Sequence, residues 1–307
     1  MRHLPLLILL VVLVGCGDTR TDGKSEPATK AQIENARAVM ASFEAEREQL
    51  PSLPPAQRAE HLRTFGARLE AGLANTANTR FENKNLYWLA DWRYAYADGD
   101  GVDPVLDRLD RCESPVLKNS GRQLRVLLRL RQNRVSEARQ IAEPLVQEVL
   151  EFGGLIDRVV FHETIGAKAP LLAARSLSGG NDQPITARNE PWLLYCFVAA
   201  LDANSEALIA SYREALAPLT GQARLVCVTF EANLLNATGR LRSLPDIGGL
   251  DLLWVAPGDT AKAWTSGWKL PKPLPRVILL GPGPERTILG VELTPGMVTK
   301  MLGKTKP

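Results

Sequence analysis

The chain has 307 residues, enough for about two domains, and its 45% apolar and 23% charged residues are those of an ordinary globular protein. Lys+Arg 37 against Asp+Glu 34 leaves a formal charge of +3, too small a surplus to call for nucleic acid as a partner.

Arg2 and His3 precede an apolar run, Leu4 to Val14, that is too short for a membrane-spanning helix but suits the hydrophobic region of a secretory signal. The run closes in Leu13-Val14-Gly15-Cys16. This tetrapeptide resembles the lipobox of bacterial lipoproteins, which implies that Cys16 is lipidated on sulfur and becomes the new N-terminus. A plain signal peptide with a chance cysteine is the competing reading. Residues 1–15 then form the signal peptide, and diacylation at Cys16 supplies the two chains that stable anchoring to a membrane requires. Residues 16–30 contain "GDTRTDGKSEPATK", nearly free of hydrophobic side chains, and are expected to be a flexible tether. By the same resemblance, Gly17 rather than aspartate after the lipidated cysteine favours the outer membrane of a Gram-negative envelope, on its periplasmic side.

Residues 31–155 read as a helical domain. Ile33, Ala36, Met40 and Phe43 recur at helical spacing, as do Leu62, Phe65, Leu69 and Leu73, with "PSLPPAQ" as the break between two antiparallel helices. "NKNLYWLADWRYAYADG" is a more aromatic helix, its Leu86, Leu89, Trp92 and Tyr96 facing inward. "DGDGVD", Asp98 to Asp103, fails as a calcium loop: counted from Asp98, the sixth position is Asp103 rather than glycine and the twelfth is Leu109 rather than glutamate. "GRQLRVLLRLRQNRVSEARQIAEPLVQEVLEFGG" makes two helices joined at Gln132-Asn133-Arg134. It resembles a single tetratricopeptide-type hairpin, without a repeat at fixed period. Pro144 is expected to kink the second of these helices. Arg122, Arg125, Arg129, Arg131 and Arg134 form a basic cluster, either a solvated face or a docking patch.

From Ile165 the pattern changes. "IGAKAPLLAARSLSGGNDQPI" is followed by an apolar strand, Trp192 to Ala200, a helix from about Ser205 to Leu216, and a second buried strand, Leu225 to Phe230. A strand at Leu252 to Val255, a short helix at Thr260 to Trp264, the dipeptide Leu274-Pro275, strands at Val277 to Leu280 and Thr287 to Val291, and a last helix from Thr294-Pro295 complete the chain. This order resembles TlpA-like and AhpC/TSA-type thioredoxin domains, in which a Gly-x-x-Ala-Pro element leads into a short hairpin. The fold class expected is therefore α + α/β, a helical N-terminal region with a tetratricopeptide-like hairpin followed by a thioredoxin-like three-layer α/β domain at 160–305.

The resemblance implies a cis bond at Pro275, facing the turn that carries Cys-x-x-Cys. There a helix N-terminus lowers the pKa of the attacking thiol. In this sequence Leu201 falls at the attacking position and Asn204 at the resolving one, with Asp202 and Ala203 between them, and Asp202 or Asn204 is expected to cap the helix. The remaining cysteines are Cys112, Cys196 and Cys227. Cys196 and Cys227 lie within apolar strands and are expected to be inert, a Cys196–Cys227 bridge being the competing arrangement. A structural disulfide at Cys112 stays open. His3, His61 and His162 are too scattered for a metal cluster or a catalytic triad, and His162 reads as a partly buried polar residue.

The expected molecule is thus a membrane-anchored, redox-inactive thioredoxin-like lipoprotein with no cofactor, catalytic residue or metal. It would bind an envelope protein or peptide partner through a groove lined by Leu201, Asp202, Ala203, Asn204, Leu274 and Pro275. A divergent thiol-disulfide oxidoreductase working through non-motif cysteines is the alternative, and a purely architectural spacer is a third reading.

Overall fold

A computed structural model describes residues 28–50, 55–97, 99–172, 174–177, 192–219, 221–243, 250–283 and 285–303. The signal segment, Cys16 and nearly all of the tether lie outside the described residues, as does most of the hairpin expected before Trp192. The chain divides into two compact units between Leu155 and Ile156.

The first unit is helical. It holds α1 (Lys30–Gln49), α2 (Pro55–Thr76), α3 (Glu82–Tyr96), α4 (Val102–Leu109), α5 (Pro115–Arg131) and α6 (Val135–Glu148). A capping box opens α1: Thr29 Oγ1 accepts from the Gln32 N–H, and Gln32 Oε1 accepts from the Thr29 N–H. On α1 the stripe of Ala36, Met40 and Phe43 is buried, and Met40 and Phe43 pack with Phe65 and Leu69 of α2 and with Leu86 and Leu89 of α3. Phe43 and Phe65 meet edge to face, their ring centroids 5.8 Å apart. The close approach of α2 to α3 needs Gly66, because a Cβ there would stand 2.4 Å from the ring of Trp92. The helix α6 runs on through Pro144.

The basic cluster is occupied from within. Arg125 donates to Asp107 at 3.0 Å and to Asp110 at 2.7 Å, and Arg129 forms a two-pronged pair with Asp103 at 2.8 and 3.0 Å. Arg122 pairs with Glu148, Arg134 with Glu137, and Arg131 lies over the Tyr94 ring while donating to that residue's carbonyl. These arginines pin α5 to α3, α4 and α6, so the cluster is largely neutralised by the unit's own groups.

The second unit contains α7 (Gly154–His162), β1 (Arg175–Ser176), β2 (Trp192–Val198), α8 (Ala203–Leu216), β3 (Ala223–Thr229), α9 (Leu234–Ser243), β4 (Leu250–Trp254), α10 (Asp259–Gly267), β5 (Arg276–Leu280), β6 (Ile288–Val291) and α11 (Pro295–Gly303). The sheet order is β1-β4-β3-β2-β5-β6. Strands β2, β3 and β4 run parallel, while β5 is antiparallel to β2, β6 to β5 and β1 to β4.

Period-two alternation explains the continuous apolar run of β2, because both faces of this strand are covered. Leu193, Tyr195 and Phe197 enter one core with Trp264 and Trp268, and Leu194, Cys196 and Val198 enter the other with Ile209, Tyr212, Val298 and Leu302. The result is a three-layer, thioredoxin-like α/β unit, as the element order implied. Strand β2 stops at Val198, two residues short of the expected Ala200, and α9 is a helix that the sequence pattern did not indicate.

Candidate functional site

The turn between β2 and α8 is built around Asp202. Its backbone is extended, and its carboxylate accepts the Ser205 N–H at 2.8 Å, which makes it the N-cap of α8. That same N–H holds the Asp202 carboxyl below the usual carboxylate range. A helix N-terminus favours negative charge, and here a side-chain carboxylate of the protein supplies it.

Asp202, Ala203 and Asn204 are exposed. Leu201 is not: it is 1% exposed and packs in the core between α8, α11 and the sheet. Its assignment to a surface groove is therefore corrected, for a leucine entering a helix beside a covered sheet gains more from burial than from solvent.

The other half of the site is the entry to β5. Both Lys272-Pro273 and Leu274-Pro275 are cis. The β2–β5 register pairs Phe197 with Arg276, so its continuation sets Pro275 opposite Val198, at the end of the sheet from which the Asp202 turn departs. Pro275 is exposed, whereas Leu274 is half-buried against the core on the α10 side.

Arg276, the next residue, turns inward. Its Nη1 donates to the Pro275 carbonyl at 2.8 Å, and its Nε lies 3.3 Å from Glu292. The Glu292 carboxylate also receives Arg158 Nε at 3.1 Å on each oxygen and Arg158 Nη2 at 2.5 Å, with His162 Nε2 at 3.3 Å. Burial alone would push this carboxyl up, but His162 and the two guanidiniums outweigh it and hold it at about 2. Sequence reading missed this node because Arg158 and Glu292 are 134 residues apart and neither belongs to a motif. His162, read as a partly buried polar residue, proves to be 5% exposed and part of the node.

The thiols are elsewhere and inward. Cys112, Cys196 and Cys227 are free and buried. Burial pushes Cys196 up to about 12 and raises Cys112 and Cys227 as well. Cys196 and Cys227 are register partners on β2 and β3, wholly enclosed between the sheet and α8. Among the described residues no cysteine is exposed, and no group of three or more His, Cys, Asp or Glu could hold a metal ion.

No family model matches the chain, and no curated protein matches it. Solved structures similar to it include the thioredoxin domain of a thiol-disulfide oxidoreductase from Bacteroides vulgatus, at 16% identity, TM-score 0.39, and coverage of 46% of this chain and 96% of that one. A thiol:disulfide interchange protein from Bacteroides sp. matches at 16% identity and TM-score 0.39, over 46% of this chain and 89% of that one. A thioredoxin-like protein from Bacteroides caccae matches over 92% of this chain and 98% of that one, at 12% identity and TM-score 0.41. No residue role is carried over from any of them.

Proposed function

We propose that this chain is a lipid-anchored protein of the periplasmic side of the envelope. Its thioredoxin-like domain binds a protein or peptide partner and does not exchange disulfides. The observation that carries this reading is the cap at α8: the helix start that stabilises a thiolate in redox members of the resembled family is closed here by the carboxylate of Asp202. The burial of Cys112, Cys196 and Cys227 supports it, since a thiol with its pKa raised by burial is a poor nucleophile. Exposed Asp202, Ala203, Asn204 and Pro275 at one end of the sheet, with half-buried Leu274 behind them, are the surface left for a peptide. Anchoring rests on the lipobox-like sequence at Cys16; among the described residues no helix is long and apolar enough to cross a membrane.

The test has three arms. Protein lacking residues 1–16 is titrated for thiols with and without denaturant and assayed for disulfide reduction; thiols that react only on unfolding, with no turnover, are expected. Binding of a reduced, carboxymethylated model polypeptide is then measured, and Ala203→Arg and Asn204→Arg, both at exposed positions, should weaken it. Full-length protein should partition with membranes and lose that partition in Cys16→Ser. A fast-reacting native thiol with turnover would put the oxidoreductase reading first, and binding indifferent to both arginine substitutions would remove the groove.

A further inference from the structure

Glu292 combines three features that need a joint explanation. It is a glutamate in the left-handed region, at φ 51°, where a non-glycine residue persists only when its surroundings over-determine it. Its side chain is 13% exposed, yet it is held ionised by groups from two separate elements. Its own N–H donates to the Val277 carbonyl at 2.8 Å, which fixes the backbone from which the carboxylate reaches inward.

The groups it gathers come from two distant stretches of the chain, both preceding it. Arg158 and His162 belong to α7, the helix that begins this unit, and Arg276 is the first residue of β5, directly after the loop Pro271 to Pro275 that carries the exposed Pro275. Arg276 passes the contact on, since its Nη1 holds the Pro275 carbonyl. A buried carboxylate shared in this way does not respond additively. Withdrawing the cation on one side leaves a buried charge underpaired and shifts the load to the cation on the other side.

The geometry points to Glu292 as a positioning residue that couples the seating of α7, through Arg276 at the start of β5, to the conformation of the Pro271–Pro275 loop. The coupling is reciprocal: whatever displaces the loop changes how firmly α7 is held, and whatever displaces α7 changes the loop. Its functional consequence, that occupation of the surface at Pro275 is felt at α7, rests on the peptide-binding reading above. The coupling itself does not, and it is measured on protein without peptide.

The experiment is hydrogen–deuterium exchange on the full chain in detergent, comparing the unaltered protein with Arg158→Met and Arg276→Met. Three segments are followed, residues 156–162, residues 270–276 and, as an internal control, residues 193–198 of β2. Each variant should speed exchange by about tenfold or more in both of the first two segments while leaving β2 unchanged. Loosening confined to the altered residue's own segment, or spread equally over all three, would overturn the coupling. Should either methionine variant fail to fold, Arg158→Lys and Arg276→Lys decide it. These keep the charge but lose the guanidinium fork, and they should show the same two-segment pattern at smaller amplitude. Failure of the peptide-binding assay leaves this result standing, and a single-segment pattern leaves peptide binding standing, so the two ideas fail separately.

Discussion

Cys196 and Cys227 sit directly opposite each other on the neighbouring parallel strands β2 and β3, both wholly buried and both reduced. In-register residues of a parallel pair project their Cβ atoms side by side at about the 4.8 Å strand spacing, wider than the roughly 3.8 Å typical of a disulfide. Treatment of the native protein with a mild oxidant is therefore expected to leave the pair reduced, as read by intact mass after alkylation in denaturant. A native bridge between these two residues would show that the sheet opens far enough to change its strand spacing. Cys196→Ser should destabilise the unit by about 1–3 kcal/mol, because it puts a hydroxyl into an apolar core.

Removing the Glu292 carboxylate should cost more than any surface substitution. Glu292→Gln leaves the half-buried Arg158 and Arg276 beside a neutral group, a loss of roughly 3 kcal/mol in urea denaturation. Glu292→Gly is the sharper comparison, since it relieves the left-handed backbone yet loses the carboxylate. It too should be less stable than the parent, and equal or greater stability would mean that the node contributes little.

The same residue sets an acid dependence. Its folded pKa, about 2, lies below the ordinary value of 4.5, so its contribution is complete above pH 4.5 and fades as the pH falls from there toward 2. Denaturation midpoints taken across that window should decline in the parent and decline less in Glu292→Gln. Parallel slopes for the two proteins would assign the acid sensitivity to other carboxylates.

At the start of α8, Asp202→Ala should lower stability by about 1 kcal/mol, whereas Asp202→Asn, which still accepts the Ser205 N–H, should cost little. Chemical denaturation of both variants settles it, and an alanine variant as stable as the asparagine one would show that the cap is dispensable.

In the helical unit, Gly66→Ala sets two effects against each other. Alanine gains about 1 kcal/mol of helix propensity, but its Cβ would stand 2.4 Å from the Trp92 ring, whose Nε1 donates to the Leu62 carbonyl at 2.9 Å. Overpacking costs about 1–3 kcal/mol, and displacing the indole also loses its hydrogen bond, so a net loss is expected. The penalty should shrink in a Trp92→Leu background, a non-additivity that a double-mutant cycle on the thermal midpoint will detect.

Much of the thioredoxin-like unit was legible because its strands are buried on both faces. The apolar stretches read as strands at Trp192 to Ala200 and Leu225 to Phe230 contain the observed β2 and most of β3. Helix α9 escaped notice because "NLLNATGRLRS" carries asparagine and glycine, which read as loop. In the structure Asn233 instead accepts the Leu235 N–H at the start of that helix. The arginines of α5 could be seen as a cluster, but their neutralisation could not, since Asp103, Asp107 and Asp110 face them only once α4 has packed against α5.

The sequence by itself determined the succession of buried strands in the C-terminal part, the helical pattern of the N-terminal part and the absence of cysteines at the turn before α8, because these follow from periodicity and residue identity along the chain. Only the tertiary structure decided that Leu201 is core rather than surface, that Asp202 rather than Asn204 caps α8, and that Arg158, His162, Arg276 and Glu292 form one buried node. Those outcomes depend on which side chains meet across long stretches of chain and on how much water their packing excludes, and local pattern carries neither.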